Sequence, residues 1–182
     1  MRDIEKDLAS LMTKQRFLHI QEVKRIANDI SHHYNIDKKK LELASLLHDI
    51  AKDIPRDEMK SLIEKYRIVF DRIEEKEPGL WHGVIGAFMV NEKFSITDPE
   101  VLTAIKFHST GMANMPLLLK VLYIADYLET CPNGDLLERA KGNIDDVLKE
   151  VTKQKIEYVL KKGSLLHPRT VSLWNSICTQ KA

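Results

Sequence analysis

The chain has 182 residues, 43% of them hydrophobic and 7% aromatic, with 28 Lys and Arg against 27 Asp and Glu for a net charge of +1. That balance argues against a binder held by nucleic-acid phosphates or by an anionic membrane surface. The composition excludes disordered, collagenous and disulfide-stapled classes and fits one domain over residues 1–182. Cys131 and Cys178 lie far apart with no metal-knuckle spacing. No apolar run approaches the ~18 residues of a membrane span, and the start MRDIEKDLAS lacks a secretory h-region, so a cytoplasmic protein is expected.

Apolar residues recur with helical period along almost the whole chain, which predicts an all-α, compact multi-helix domain. Ile4, Leu8, Leu11 and Met12 mark a first helix, and a second is expected from about Phe17 to Tyr34. Asp37 suits the N-cap of a third helix with the stripe Leu41, Ala44, Leu47 and His48. Pro55 suits the first turn of a fourth through Met59, Leu62 and Ile63, followed by a charged short helix and loop from Arg67 to Pro78. Helices are expected from Leu80 to Phe94, from Asp98 to Ser109 with Asp98 as cap, and from Pro116 to Glu129. The segment CPNGDLLERAKG reads as broken, before a long helix from Asn143 to Lys162 that Gly163 ends, and a last helix after His167.

Polar groups on inward faces carry the chemical information. His19 shares the face of Val23, His48 that of Ala44, His82 that of Ile85 and Gly86, and His108 continues the stripe of Val101, Ala104 and Ile105. Asp126 lies within PLLLKVLYIADYLE, four residues after Leu122, with no Arg or Lys beside it on the inner face of that helix. A buried carboxylate must be paired, protonated or bound to a cation, and buried imidazoles need partners for both ring nitrogens. One divalent metal satisfies several such groups together, and a centre taking His19, His48, Asp49 and Asp126 from three helices is expected. His32 and His33 sit at a polar helix end, and Lys38-Lys39-Lys40 and Glu74-Glu75-Lys76-Glu77 read as solvated faces.

His19, LLHDIAKD and ADYLE together resemble the H…HD…D signature of the HD-domain phosphohydrolase superfamily. LWHGVIGAFM, KFHSTG, LYIADYLE and LHPRT are similar to the YqeK-type HD proteins over about residues 15 to 175. That resemblance implies an all-helical domain that hydrolyses diadenosine tetraphosphate symmetrically to two ADP, using iron, with manganese, nickel and zinc as other ions compatible with the ligands. It places His19, His48, Asp49 and Asp126 on the metal, and His82 and His108 on a second metal or on substrate phosphates. Lys52 follows as a phosphate-neutralising cation, and Tyr127, His167, Pro168, Arg169 and Thr170 as nucleotide contacts, with Asp49, His82, His108 and Asp126 also facing substrate. After ADY-[IL]-E the family continues Pro-x-Arg, whereas here Thr130, Cys131, Pro132 and Asn133 follow, leaving Arg139 as a replacement cation.

Water activated on the metal is the expected nucleophile, with Asp49 orienting it or bridging two metals, and Lys52, His82 and His108 balancing phosphoryl charge. A nucleoside monophosphate phosphatase or signalling-nucleotide phosphodiesterase of HD type fits the same ligands, and a nucleotide-binding regulator without turnover is the reading from another class. The partner is a nucleotide substrate, with no nucleic acid and no membrane, and a homodimer through helix faces is compatible with the pattern.

Overall fold

Residues 4–179 are described by the computed structural model, and among them the regular structure is helical, with no strand. The helices are α1 (Ile4–Leu11), α2 (Lys14–Ser31), α3 (Lys38–Leu47), α4 (Arg56–Tyr66), α5 (Arg72–Lys76), α6 (Trp81–Phe94), α7 (Pro99–Phe107), α8 (Leu117–Thr130), α9 (Gly134–Gly142), α10 (Ile144–Lys161) and α11 (Pro168–Thr179). A 3₁₀ turn, Pro78–Leu80, leads into α6. The all-α expectation holds.

Helix α8 is the axis of the fold. Leu118, Leu119, Val121, Leu122, Tyr123, Ile124, Ala125 and Leu128 are all buried, so the helix is apolar nearly all round and packs against α2, α3, α7 and α10. Each large aliphatic side chain removed from water there contributes about 1.5–3 kcal/mol. Helix α3 is enclosed by α2, α7 and α8, and it ends in the middle of the protein at His48. Its start is fixed as expected: the Asp37 carboxylate accepts from the backbone N–H groups of Lys39 and Lys40.

Helices α6 and α7 pack unusually closely, because Gly83 leaves room that a side chain would fill. A Cβ at that position would lie 2.8 Å from the Lys106 carbonyl oxygen and 3.2 Å from that of Ile105. The contact brings two neighbouring residues face to face, His82 just before Gly83 on α6 and His108 at the end of α7.

Two expectations need correction. Helix α2 runs from Lys14 to Ser31, about three residues earlier at each end than Phe17 to Tyr34. Its first turn is polar, so the apolar pattern misses it; Thr13 caps it by accepting from Arg16, while Asp53 accepts from both the Thr13 N–H and its hydroxyl. The segment 131–142 is not broken. Pro132, Asn133 and Gly134 are a helix start rather than a break, since the Asn133 side chain accepts from the Leu136 N–H and Leu136 and Ala140 bury one face of α9. Asn143 then caps α10 in the same manner. Helix α10 ends as expected at Gly163, whose φ of +68° goes with the paired bonds Gly163 N–H to Leu160 and Ser164 N–H to Val159.

Candidate active site

His48 is fully buried at the C-terminal end of α3, and Asp49, 3% exposed, begins the turn that follows. His19 comes from the first half of α2 and Asp126 from the last turns of α8, whereas His82 and His108 stand at the α6 N-terminus and the α7 C-terminus. Helices distant along the chain therefore converge on one point.

The imidazoles share one orientation. Nδ1 of His48, His82 and His108 each donates to the carbonyl three residues earlier, on Ser45, Gly79 and Ile105, at 2.8 Å in all three cases. His19 Nδ1 donates to Glu129 Oε2 at 2.6 Å. These acceptors fix the tautomer, so every Nε2 carries a lone pair pointing inward. Yet His19 and His48 Nε2 are 3.3 Å apart, and His82 and His108 Nε2 are 3.0 Å apart. Lone pairs facing at such distances need a cation or a proton between them.

Asp49 spans both pairs. Its Oδ2 lies 3.6 Å from His19 Nε2 and 3.8 Å from His48 Nε2, while its Oδ1 lies 3.2 Å from His82 Nε2 and 3.3 Å from His108 Nε2. Asp126 Oδ1 closes the first set at 3.4 Å from His19 and 3.7 Å from His48. Asp49 Oδ1 is buried without a conventional hydrogen-bond donor, which suits it to ligate a cation. The groups His19–His48–Asp126 and His48–Asp49–His108 each bring their ligand atoms within 4.8 Å of one another, a donor set that fits a divalent metal.

Electrostatics keep the two carboxylates and His108 in their binding forms. Burial would raise the carboxyl pKa of Asp49, but His48, His108 and His82 hold it well below the usual range. Asp126 is likewise held low against burial by His19, His48 and Lys155. Burial pushes His108 down to about 4, so its ring is neutral near pH 7. Burial also opposes the charged form of His19, but Asp126, Glu129 and Asp49 outweigh it and raise that pKa. Ionised carboxylates at Asp49 and Asp126 and a neutral ring at His108 are the forms that metal coordination requires.

The surroundings contain residues that helical periodicity does not reveal. Arg16 Nη1 donates to Asp49 Oδ2 at 2.6 Å, and Glu129 orients His19. Asp126 does have a cation, although from another helix: Lys155 Nζ of α10 stands 3.6 Å from its Oδ2 and 3.8 Å from the Tyr123 ring centroid. That correction has a simple cause, since α10 starts far from Asp126 in sequence and only packing joins them. Ser109 Oγ sits 3.2 Å from His82 Nε2 and 3.1 Å from His108 Nε2. Its place directly after His108 was the one signal in the sequence. Lys52 Nζ lies 3.4 Å from His82 Nε2.

A cleft of about 470 Å³ opens onto this centre, lined among others by Lys52, Ser109, Asp126, Lys155, Tyr158 and Lys162. Other expected substrate contacts stand elsewhere. His167 Nε2 lies 2.9 Å from Asp71 Oδ2, Arg169 bonds Glu74 and covers the Phe107 ring, and the Thr170 hydroxyl donates to the Thr110 carbonyl. Pro168 opens α11 beside them. None of these residues is among those that line the cleft. The Tyr127 hydroxyl donates to Gln154, Arg139 is held by Asp135, Glu150 and Asp146, and neither is among the residues that line the cleft. No helix of the described residues is long and apolar enough to cross a membrane.

The HD domain family matches residues 16–131, a span that runs from Arg16 past Asp126. The symmetrical bis(5'-nucleosyl)-tetraphosphatase of Bacillus subtilis (strain 168) is 31% identical over 168 residues, covering 90% of each chain. The enzyme of the same description from Halalkalibacterium halodurans is 32% identical over 176 residues, covering 93% of this chain and 92% of its own. Among solved structures, a predicted HD superfamily hydrolase involved in NAD metabolism from Clostridium acetobutylicum superposes with a TM-score of 0.90 at 30% identity, over 98% of this chain and 96% of that one. With the residues that carry the HD motif already gathered at one buried point, this chain belongs to the HD-domain family, in the branch that holds the symmetrical bis(5'-nucleosyl)-tetraphosphatases.

Proposed function

We propose that the chain, acting as one catalytic domain, is a metal-dependent phosphohydrolase that splits diadenosine tetraphosphate symmetrically into two ADP. The observation that carries the reading is Asp49 placed between two pairs of inward imidazoles, Oδ2 toward one and Oδ1 toward the other. His19, His48, Asp49 and Asp126 would hold the ion. Iron is our assignment within the divalent class, supported by the resemblance to YqeK-type proteins; the imidazole–carboxylate set accepts it along with manganese, nickel and zinc. An ion bound there supplies charge neutralisation at the phosphoryl oxygen and a water acidified to near-neutral pKa.

The chain's own groups then divide the remaining work. Asp49 orients the attacking water, and Glu129 keeps the His19 tautomer. The water adds to one central phosphorus, the P–O bond to the other central phosphate breaks, and its electron pair leaves with the second ADP. The triangle of Asp49 Oδ1 and the Nε2 atoms of His82 and His108 is where a proton from that water can rest. Once protonated, an imidazole becomes a donor to the phosphoryl oxygens, joined by Lys52 and by the Ser109 hydroxyl. Exposed free thiols at Cys131 and Cys178 support work in the reducing cytoplasm.

The test is chromatography of products from metal-loaded protein given diadenosine tetraphosphate and, separately, nucleoside monophosphates. ADP as the sole product of the dinucleotide is the expected result. Orthophosphate released from monophosphates, with the dinucleotide untouched, would replace this reading with a monophosphatase. Tight nucleotide binding without turnover of either would make the protein a regulator.

A further inference from the structure

The cleft beside the centre has a wall that neither the metal ligands nor the phosphate contacts explain. Lys155, Tyr158 and Lys162 follow at i, i+3 and i+7 from the second half of α10 to its C-cap, so they share one face, and all three line the cleft with Asp126, Lys52 and Ser109. Helical rise places Lys155 and Lys162 about 10 Å apart along the axis. Lys155 stands at the inner end, where Nζ approaches Asp126 Oδ2 and has no hydrogen-bond partner. Lys162 stands at the outer end, in no ion pair with a carboxylate of the described residues, its Nζ 4.8 Å from the centre of the Tyr158 ring.

Tyr158 between them is 58% exposed. An aromatic ring left in water in the lining of a cleft, flanked by cations, has the elements of a nucleotide seat: a face for a base to stack on and ammonium groups for phosphates. Leu80, Val159 and Leu165 supply the apolar part of the same lining. The Schellman ending at Gly163 turns the chain so that Ser164 and Leu165 fold back to this cleft.

We propose that this face of α10 is a second nucleotide subsite, which holds the nucleoside diphosphate half of the substrate that departs. The inference rests on the dinucleotide reading above and extends it. His82, His108, Lys52 and Ser109 serve the phosphates at the centre. Lys155 and Lys162 follow the phosphates outward along the helix, and the distal base stacks on Tyr158. A substrate with nucleosides at both ends thereby occupies both walls, which favours dinucleotides over mononucleotides.

The experiment uses metal-loaded full-length protein and the exposed-site variants Tyr158→Ala and Tyr158→Phe. Tyr158→Ala is expected to raise KM for diadenosine tetraphosphate about tenfold, the size of one lost base stack, with kcat and metal content kept. Tyr158→Phe restores the wild-type KM. Inhibition by inorganic tripolyphosphate, which has no base, stays the same in all three proteins. A second arm needs no turnover: in equilibrium dialysis ADP occupies both subsites of the wild type and only the metal-side subsite of Tyr158→Ala. An unchanged KM in Tyr158→Ala, an equal loss of tripolyphosphate inhibition, or unaltered ADP stoichiometry would overturn the subsite. Failure of the wild type to cleave the dinucleotide would overturn the proposed reaction instead, and the dialysis would still decide the subsite.

Discussion

His19 Nδ1 and Glu129 Oε2 meet at 2.6 Å although 110 residues of chain separate them. The carboxylate holds the Nδ1 proton, so the opposite nitrogen of His19 is left as a lone pair aimed at His48, Asp49 and Asp126. Removing the charge but not the shape tests this directly. Glu129→Gln is expected to weaken metal affinity by roughly 10- to 100-fold, the usual cost of losing an outer partner of a ligating histidine. Competition with a calibrated chelator measures it, and unchanged affinity would mean that Glu129 has no orienting role.

Asp49 is the member shared by both donor sets, so its loss should be felt by both. In Asp49→Asn the Arg16 guanidinium also loses its short ionic partner. Metal retention and turnover are expected to fall together, turnover by at least about 100-fold. Elemental analysis beside a product assay reads both quantities. Full activity in metal-free Asp49→Asn protein would rule out metal-dependent hydrolysis at this centre.

Gly83→Ala addresses the α6–α7 approach. The new Cβ would press on the backbone carbonyls of Lys106 and Ile105, which cannot swing aside as a side chain does. A loss of about 1–3 kcal/mol is expected, or roughly 2–4 °C of Tm for each kcal/mol in a chain of this size. Because His82 and His108 flank this contact, activity of the folded variant should fall as well. A thermal melt and a turnover assay on one sample decide it, and a variant as stable and active as wild type would contradict the close packing.

His167 supplies a pH dependence away from the metal. Burial first, then the Arg169 charge, lowers its pKa below 6.5, although Asp71 and Glu74 pull the other way. The folded protein therefore takes up a proton on His167 at lower pH than the unfolded chain does. The stability contributed is complete above the unfolded value of 6.5 and is lost as pH falls through the lower folded value. Urea unfolding of wild type and His167→Gln from pH 8 to pH 5 should show wild type losing more stability than the variant below about pH 6. Parallel curves would show that His167 contributes nothing to the acid side.

Much of this molecule was legible without coordinates because helices advertise themselves through periodic apolar residues and short caps. Asp37 and Asp98 start their helices where the sequence says, since a cap acts on backbone groups two or three residues away. The inward faces of His48, His82 and His108 were equally legible, because a helical stripe predicts which residues lose contact with water. The unforeseen partners share one physical origin. Thr13 and Asp53, Asp126 and Lys155, and His19 and Glu129 are joined across 40, 29 and 110 residues, and periodicity carries no record of which faces meet.

The sequence alone determined the all-α class, most of the helices, the inward histidines and acids, and the family. Only the tertiary structure decided that Asp49 stands between two pairs of imidazoles, that His167 and Arg169 pair with Asp71 and Glu74, and that α10 walls the cleft with Tyr158 between two lysines. Secondary structure follows from interactions within a few residues, whereas a site is made by side chains whose separation depends on the packing of every helix between them.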